Sequence, residues 1–330
     1  MLDSLRGISA LLIAVYHFSP RWDGCLALDF FFLLSGFVLS HTYSYRKQPI
    51  TMLNFAGRRL ARLYPYHIIT LLAFVLVQLS LSYGLPSYKD ETLVTFIQHL
   101  TLTKNIGLNP NGLTWNYLRW STSVEFWINF LFIFLVSKMT RSIVILFVAL
   151  AGLIVIYANT GHLETQAANY CGFLNSEIVR GMSGFLLGIL TYRIHLRFKD
   201  NNRWLAFNPF IKAIALVGVV IVLFTRSGKL SELYMIAPFV FMLLVVSFAN
   251  ESGFLTKWLS KLHYLGTISY SLYLNQILVG SLIWYWIPSL HNSFYSRLAV
   301  FLLVLLIVSH FTYRFVERSL RNLGRKVLPT

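Results

Sequence analysis

Charge is what this sequence has least of. Asp, Glu, Lys and Arg together make up 12% of its 330 residues, against 56% apolar residues, which excludes the usual balance of a soluble globular domain. Cysteine is as scarce: Cys25 and Cys171 are the two in the chain. A disulfide framework is therefore excluded, and at most one bridge is available. Internal repeats and low-complexity tracts are missing, and the longest polar stretches, near 44–65 and 86–120, are too short for a separate soluble domain. The first apolar segment lacks a basic leader and a small-residue cleavage site, so it reads as a helix and not as a signal peptide.

What the chain has is hydrophobic length. Apolar segments of roughly 17 to 22 residues, enough to cross a bilayer as helix, recur along it. They lie near 3–18, 24–43, 66–85, 121–136, 142–158, 178–194, 209–225, 232–249, 267–287 and 297–315. A further stretch, 92–108, is amphipathic and reads as interfacial or re-entrant. The expectation is an all-α, polytopic transmembrane bundle of about ten spans, forming one domain over 1–330.

The net charge of +16 raises the question of nucleic acid, and its distribution answers it. With the N-terminus cytoplasmic, most Lys and Arg fall on the cytoplasmic side, in groups such as Arg58, Arg59 and Arg62 or Arg193, Arg197 and Lys199. That is the positive-inside pattern, so both termini are placed in the cytoplasm and no nucleic-acid partner is expected. Both cysteines then fall at the outer face.

Against this apolar background the embedded charges stand out, because ionisable groups in membrane spans are expensive and mark functional sites by default. LDSLRGISALLIAVYHF carries Arg6 near the cytoplasmic side and His17 about 16 Å further out. DFFFLLSGFVLS opens with Asp29, and WSTSVEFW carries Glu125 about one turn below the outer surface. His17, Asp29 and Glu125 can thus share one outer layer suited to acid–base chemistry, without needing to touch. Each also has a plainer reading: a structural membrane histidine, a satisfied acid or proton-path residue at Asp29, and a dipole-favoured helix N-terminal charge at Glu125.

A second layer forms on the cytoplasmic side, where NFAGRRLARLYPYHI places Arg59 and Arg62 three apart on one helical face. Two guanidinium groups on one face make a fork suited to phosphate, and Arg6 is positioned to join them. The competing reading is topology-setting or lipid-contacting arginines. His67 and His310 read as structural, and Tyr270, Tyr273, Trp284 and Trp286 as packing and interface aromatics. No metal site is read. A cationic inner layer and an acid–base outer layer suit a phosphorylated cytosolic donor whose long arm, such as the pantetheine of an acyl-coenzyme A, reaches up the bundle.

At these same residues the chain resembles the acyltransferase 3 family, bacterial integral-membrane O-acyltransferases that modify surface polysaccharides and related acceptors. The likeness spans most of the sequence. It rests on LDSLRGISALLIAVYHF, DFFFLLSGFVLS, RRLARLYP, WSTSVEFW, ISYSLYLNQ and FVERS, in that order. The chain departs from the pattern at Gln276, where the family often has histidine, and at Ser319, where proline is common. It is also read as lacking the further helix and hydrolase-like domain of larger members.

The resemblance implies transfer of an acyl group, acetyl in most members, from acyl-CoA to a hydroxyl of a glycan or glycolipid in a bacterial inner membrane. It makes His17 the catalytic histidine and Arg6, Arg59 and Arg62 the donor's phosphate ligands, with no tightly bound cofactor. We read His17 as general base oriented by Asp29 or Glu125, with an acyl-histidine intermediate as the rival mechanism. Carbohydrate, acyl-CoA and membrane lipid are then the partners. Acceptor specificity is expected in the outer loops, where Trp115, Tyr117 and Trp120 could stack on sugars. The alternative from another class is a proton-coupled transporter or flippase, which the missing internal repeat disfavours. A non-catalytic sensor is the third reading.

Overall fold

A computed structural model describes residues 1–19, 24–43, 51–82, 93–104, 106, 120–137, 141–163, 169–170, 174–224, 231–287 and 293–327. The described chain is built of helices: α1 Leu2–Phe18, α2 Ala27–Tyr43, α3 Met52–Ser82, α4 Leu93–Leu100, α5 Trp120–Ser137, α6 Ser142–Thr160 and α7 Ser176–Phe198. They continue with α8 Asn202–Phe224, α9 Ala237–Phe248, α10 Phe254–Ser260, α11 His263–Thr267, α12 Ser269–Trp286, α13 Phe294–Thr312 and α14 Arg318–Val327. Between α6 and α7 two-residue strands, Asn169–Tyr170 and Leu174–Asn175, pair antiparallel.

Local chemistry sets the helix ends. The Asn175 side chain accepts from the Glu177 N–H at the start of α7, a capping bond that satisfies one orphan donor. Gly161 closes α6 at φ +72°, a left-handed position that glycine occupies without steric cost.

The all-α expectation holds, and among the described residues five stretches are long and apolar enough to cross a membrane: Gly24–Tyr43, Met52–Val77, Ser142–Thr160, Asn202–Phe224 and Phe294–Asn322. Two boundaries differ from the sequence reading. α3 begins at Met52, so the arginines of the polar stretch near 44–65 sit on the first turns of the same 31-residue rod that carries the apolar stretch, and Pro65 is accommodated inside it. The 92–108 segment folds as the short α4 and a turn, anchored from both sides: His67 Nε2 meets the His99 carbonyl at 2.9 Å, and the Leu102 carbonyl accepts from Ser123 Oγ and from Trp127 Nε1. Leu102 itself sits at φ +57°, a conformation a branched side chain rarely adopts.

The tightest helix pair is α2 with α7. A Cβ on Gly36 would collide with the Phe185 carbonyl, and one on Gly188 with the Leu33 carbonyl. Small residues let the two backbones touch, which is how helices associate where the surroundings are as apolar as the side chains. Gly7 and Gly266 make the same close approach between α1 and α11. The main apolar core joins α2, α5, α6, α7, α8 and α9, and a second core joins α1, α12 and α13 through Ala10, Ala14, Leu272, Val279 and Phe301. The outer faces of α6, α8 and α13 expose Phe147, Ile154, Phe207, Phe210, Leu303 and Phe311, the inverse of a water-facing surface.

Candidate active site

The two cores leave a cleft between them that encloses about 1040 Å³ of open space, part of it continuous with the surroundings. Arg6 enters it from α1, Arg59 and Arg62 from α3, Glu125 from α5, and Glu317 and Arg321 from the C-terminal helix. Arg58, next to Arg59, is not among the lining residues. Arg6 is held on three sides. Its Nε donates to Ser269 Oγ at 2.9 Å, its Nη2 to the Gly266 carbonyl at 2.7 Å, and its Nη1 lies 3.3 Å from Asp3 Oδ1. The Arg59 guanidinium rests over the Phe55 ring, 5.5 Å from its centroid, so its plane is fixed by packing as well as charge.

Two carboxylates balance these cations. Glu125 lies within electrostatic reach of Arg6 and Arg59, and Ser35 Oγ stands 3.4 Å from its Oε1 and 3.1 Å from Asn129 Oδ1. Glu317 accepts from Ser271 Oγ at 2.6 Å and interacts electrostatically with Arg6, Arg62 and Arg321. A π-helical turn, Tyr313–Glu317, delivers it. Such turns are a widened coil that often occurs at functional positions.

His17 occupies the far end of α1, eleven residues from Arg6. It is not among the residues that line the cleft. Its Nδ1 is buried without a hydrogen-bond partner among the described residues, and the side chain that reaches it is Gln276 of α12. One turn earlier on α12, Tyr273 does line the cleft, and its hydroxyl is 2.6 Å from Ser121 Oγ. Tyr270 also lines it, so two of the aromatics read as packing residues face the open space.

Asp29, Glu125 and His17 each have surroundings of their own. Asp29 gives both carboxylate oxygens to Arg180 of α7, at 2.9 and 2.6 Å, and both side chains are buried. Arg180 also donates to the Cys25 carbonyl at 3.3 Å and lies over the Trp120 ring. Glu125 stands in the arginine-lined cleft. His17 has the neutral amide of Gln276 as its neighbour. Cys25 is buried in a short helical turn. Cys171, Trp115 and Tyr117 lie outside the described residues. His310 Nδ1 meets the Tyr264 hydroxyl at 2.6 Å.

With this geometry in view, comparison with known proteins is decisive on one point. The family model described as an acyltransferase domain, that of acyltransferase 3, matches residues 1–313. The chain belongs to this family. Among curated proteins it is similar to the O-acetyltransferase OatA of Staphylococcus aureus (strain NCTC 8325 / PS 47), with 24% identity over 98% of this chain and 57% of the relative. The chain thus spans little more than half the length of that relative. A shorter match, 36% identical over 28% of this chain and 52% of the other, is to "Protein 2 in picA locus" of Rhizobium radiobacter. No solved structure matches.

Sequence reasoning missed three participants of the acyltransferase domain's polar interior. Arg180 carries its own signal, since an arginine four residues into an apolar helix needs a buried partner. Glu317 stands inside FVERS, and Arg321 follows it four residues on. Their i, i+4 spacing was the available signal that both share one face.

Proposed function

We propose that this chain is a multi-pass membrane O-acyltransferase that moves an acyl group, acetyl above all, from cytosolic acyl-CoA to a hydroxyl of a glycan or glycolipid at the outer side of a bacterial inner membrane. The observation that carries the reading is the cleft lined by Arg6, Arg59, Arg62 and Arg321 in a member of an acyltransferase family. Arg6, Arg59 and Arg62, with Arg321 beside them, offer the planar forks that suit the diphosphate and 3′-phosphate of coenzyme A. The Arg6 end of α1 faces the cytoplasm on this reading, about ten helices cross the bilayer, and both termini are cytoplasmic. The pantetheine arm then runs past Tyr273 and Ser121 towards His17.

In the transfer, a ring nitrogen of His17 takes the proton of the acceptor hydroxyl as its oxygen attacks the thioester carbonyl. The acyl C–S bond breaks, the C–O ester bond forms, and the proton passes from His17 to the departing thiolate. Glu125 and Glu317 serve as counter-charges that hold the arginines in place. Asp29 contributes through Arg180, by fixing α2 against α7.

Membranes containing the chain, supplied with radiolabelled acetyl-CoA and a lipid-linked glycan, test the proposal. Label is expected in the glycan fraction with the natural chain and not with His17→Ala at matched abundance. Equal labelling by both would remove His17 from the chemistry. Labelled glycan with no dependence on Arg59 or Arg62 would remove the donor site.

A further inference from the structure

Gln276 of α12 is a buried amide beside His17. It is 2% exposed, and neither Oε1 nor Nε2 has a hydrogen-bond partner among the described residues. A side-chain amide brings two donors and two acceptor lone pairs, and leaving them unsatisfied away from water is costly. The surrounding stretch of α12 does not call for polarity: Leu272, Val279 and Ile283 pack into the apolar core beside it. Methionine, of similar length, would fill the space with no unsatisfied atoms. Packing alone therefore does not account for the amide.

What it faces is His17. The two side chains approach within interaction range but without hydrogen-bond alignment, and His17 Nδ1 is itself buried and unpartnered. Two buried side chains, each with polar atoms lacking a hydrogen-bond partner among the described residues, are thus neighbours. We infer that Gln276 is the positioning residue for His17, its amide oxygen accepting the imidazole N–H when the site is occupied. This rests on the reading of His17 as general base.

A neutral imidazole has one N–H and one lone pair. Once the N–H is held by Gln276, the ring is fixed in one tautomer and the lone pair of the other nitrogen is presented to the acceptor hydroxyl. A carboxylate in this place would also orient the ring, but it would stabilise the imidazolium. A neutral amide orients with a weaker hold on the imidazolium, which suits a base that must pass its proton on to sulfur. Asp29, with both oxygens on Arg180, is not placed to do this.

The test compares Gln276→Met, Gln276→Glu and His17→Ala with the natural chain in purified, detergent-solubilised protein, reading kcat, the donor KM and the melting temperature. Gln276→Met is expected to lower kcat about tenfold or more, with the donor KM within about twofold and the melting temperature unchanged or raised. Gln276→Glu, which keeps an accepting oxygen, is expected to retain more activity than Gln276→Met. A melting temperature that falls together with kcat in Gln276→Met would overturn the inference in favour of a packing role, as would natural kcat in that variant. Should Gln276→Met not fold, Gln276→Asn, with the same groups one methylene short, must show the kcat loss at an intact melting temperature. His17→Ala separates the two readings. If it is inactive while Gln276→Met turns over normally, only the positioning role fails; if it is fully active, the base reading fails as well.

Discussion

Arg180 donates from Nε to Asp29 Oδ1 at 2.9 Å and from Nη2 to Oδ2 at 2.6 Å, with 3% and 1% of the two residues exposed. A bidentate pair this deep costs several kcal/mol per ion to desolvate, so its loss by halves is worse than its loss entire. Asp29→Ala or Arg180→Ala is expected to destabilise the protein by about 3–5 kcal/mol. The double variant Asp29→Leu with Arg180→Met should recover most of it. Thermal unfolding in detergent, followed by size-exclusion chromatography, reads both; equal losses in single and double variants would contradict the pairing's role.

The contact of α2 with α7 leaves no room for a side chain at Gly36 or Gly188. Gly188→Leu is expected to push the backbones apart and cost about 1–3 kcal/mol or more, seen as a reduced monodisperse fraction at matched expression. Gly280, whose added Cβ would meet only the Phe301 ring at 3.8 Å, should accept alanine without effect.

Arg59→Ala and Arg62→Ala each remove a charged fork from the cleft. A hydrogen bond to a charged group is worth about 1.5–3 kcal/mol, so the KM for acetyl-CoA should rise about tenfold or more in each. Lysine keeps the charge but not the planar pair of donors, and Arg59→Lys should restore less than half of the lost binding energy. Donor KM at saturating acceptor is the measurement.

Tyr273 stands between the arginines and the Gln276 turn, bonded to Ser121. Tyr273→Ala opens that passage. The expected result is a relative gain for butyryl- over acetyl-CoA, read as the ratio of kcat/KM for the two donors; an unchanged ratio would exclude this part of the cleft from the path of the acyl chain.

Much of this organisation was legible in the sequence, and particular residues show why. Helix boundaries followed apolar length, so α5, α6 and α12 fall within a few residues of their expected positions. Arg59 and Arg62 share a face because three-residue spacing on a helix demands it, and the cleft places them together. Azimuth was not legible. Asp29 and His17 lie at comparable depths by residue count, but which way a carboxylate points around α2 is decided by the glycines that bring α7 alongside and carry Arg180 to it. Likewise α3 reads as loop followed by span because its first half is charged, although a helix needs no apolar face where it borders an open cleft.

The π-helical turn at Tyr313–Glu317 has one further consequence. It holds one residue more than an α-helical turn would, and so it resets the phase of everything after it by about 100°. Winding the same residues as regular α-helix would leave the hydrophobic rod of α13 intact and change no side chain in the sequence. It would also swing Glu317 and Arg321 together about a quarter turn around the axis, out of register with Arg6 and Arg62. In this helix the alignment of the cleft's charges is a matter of rotational phase, set by the length of one turn and not by the identity of any residue within it.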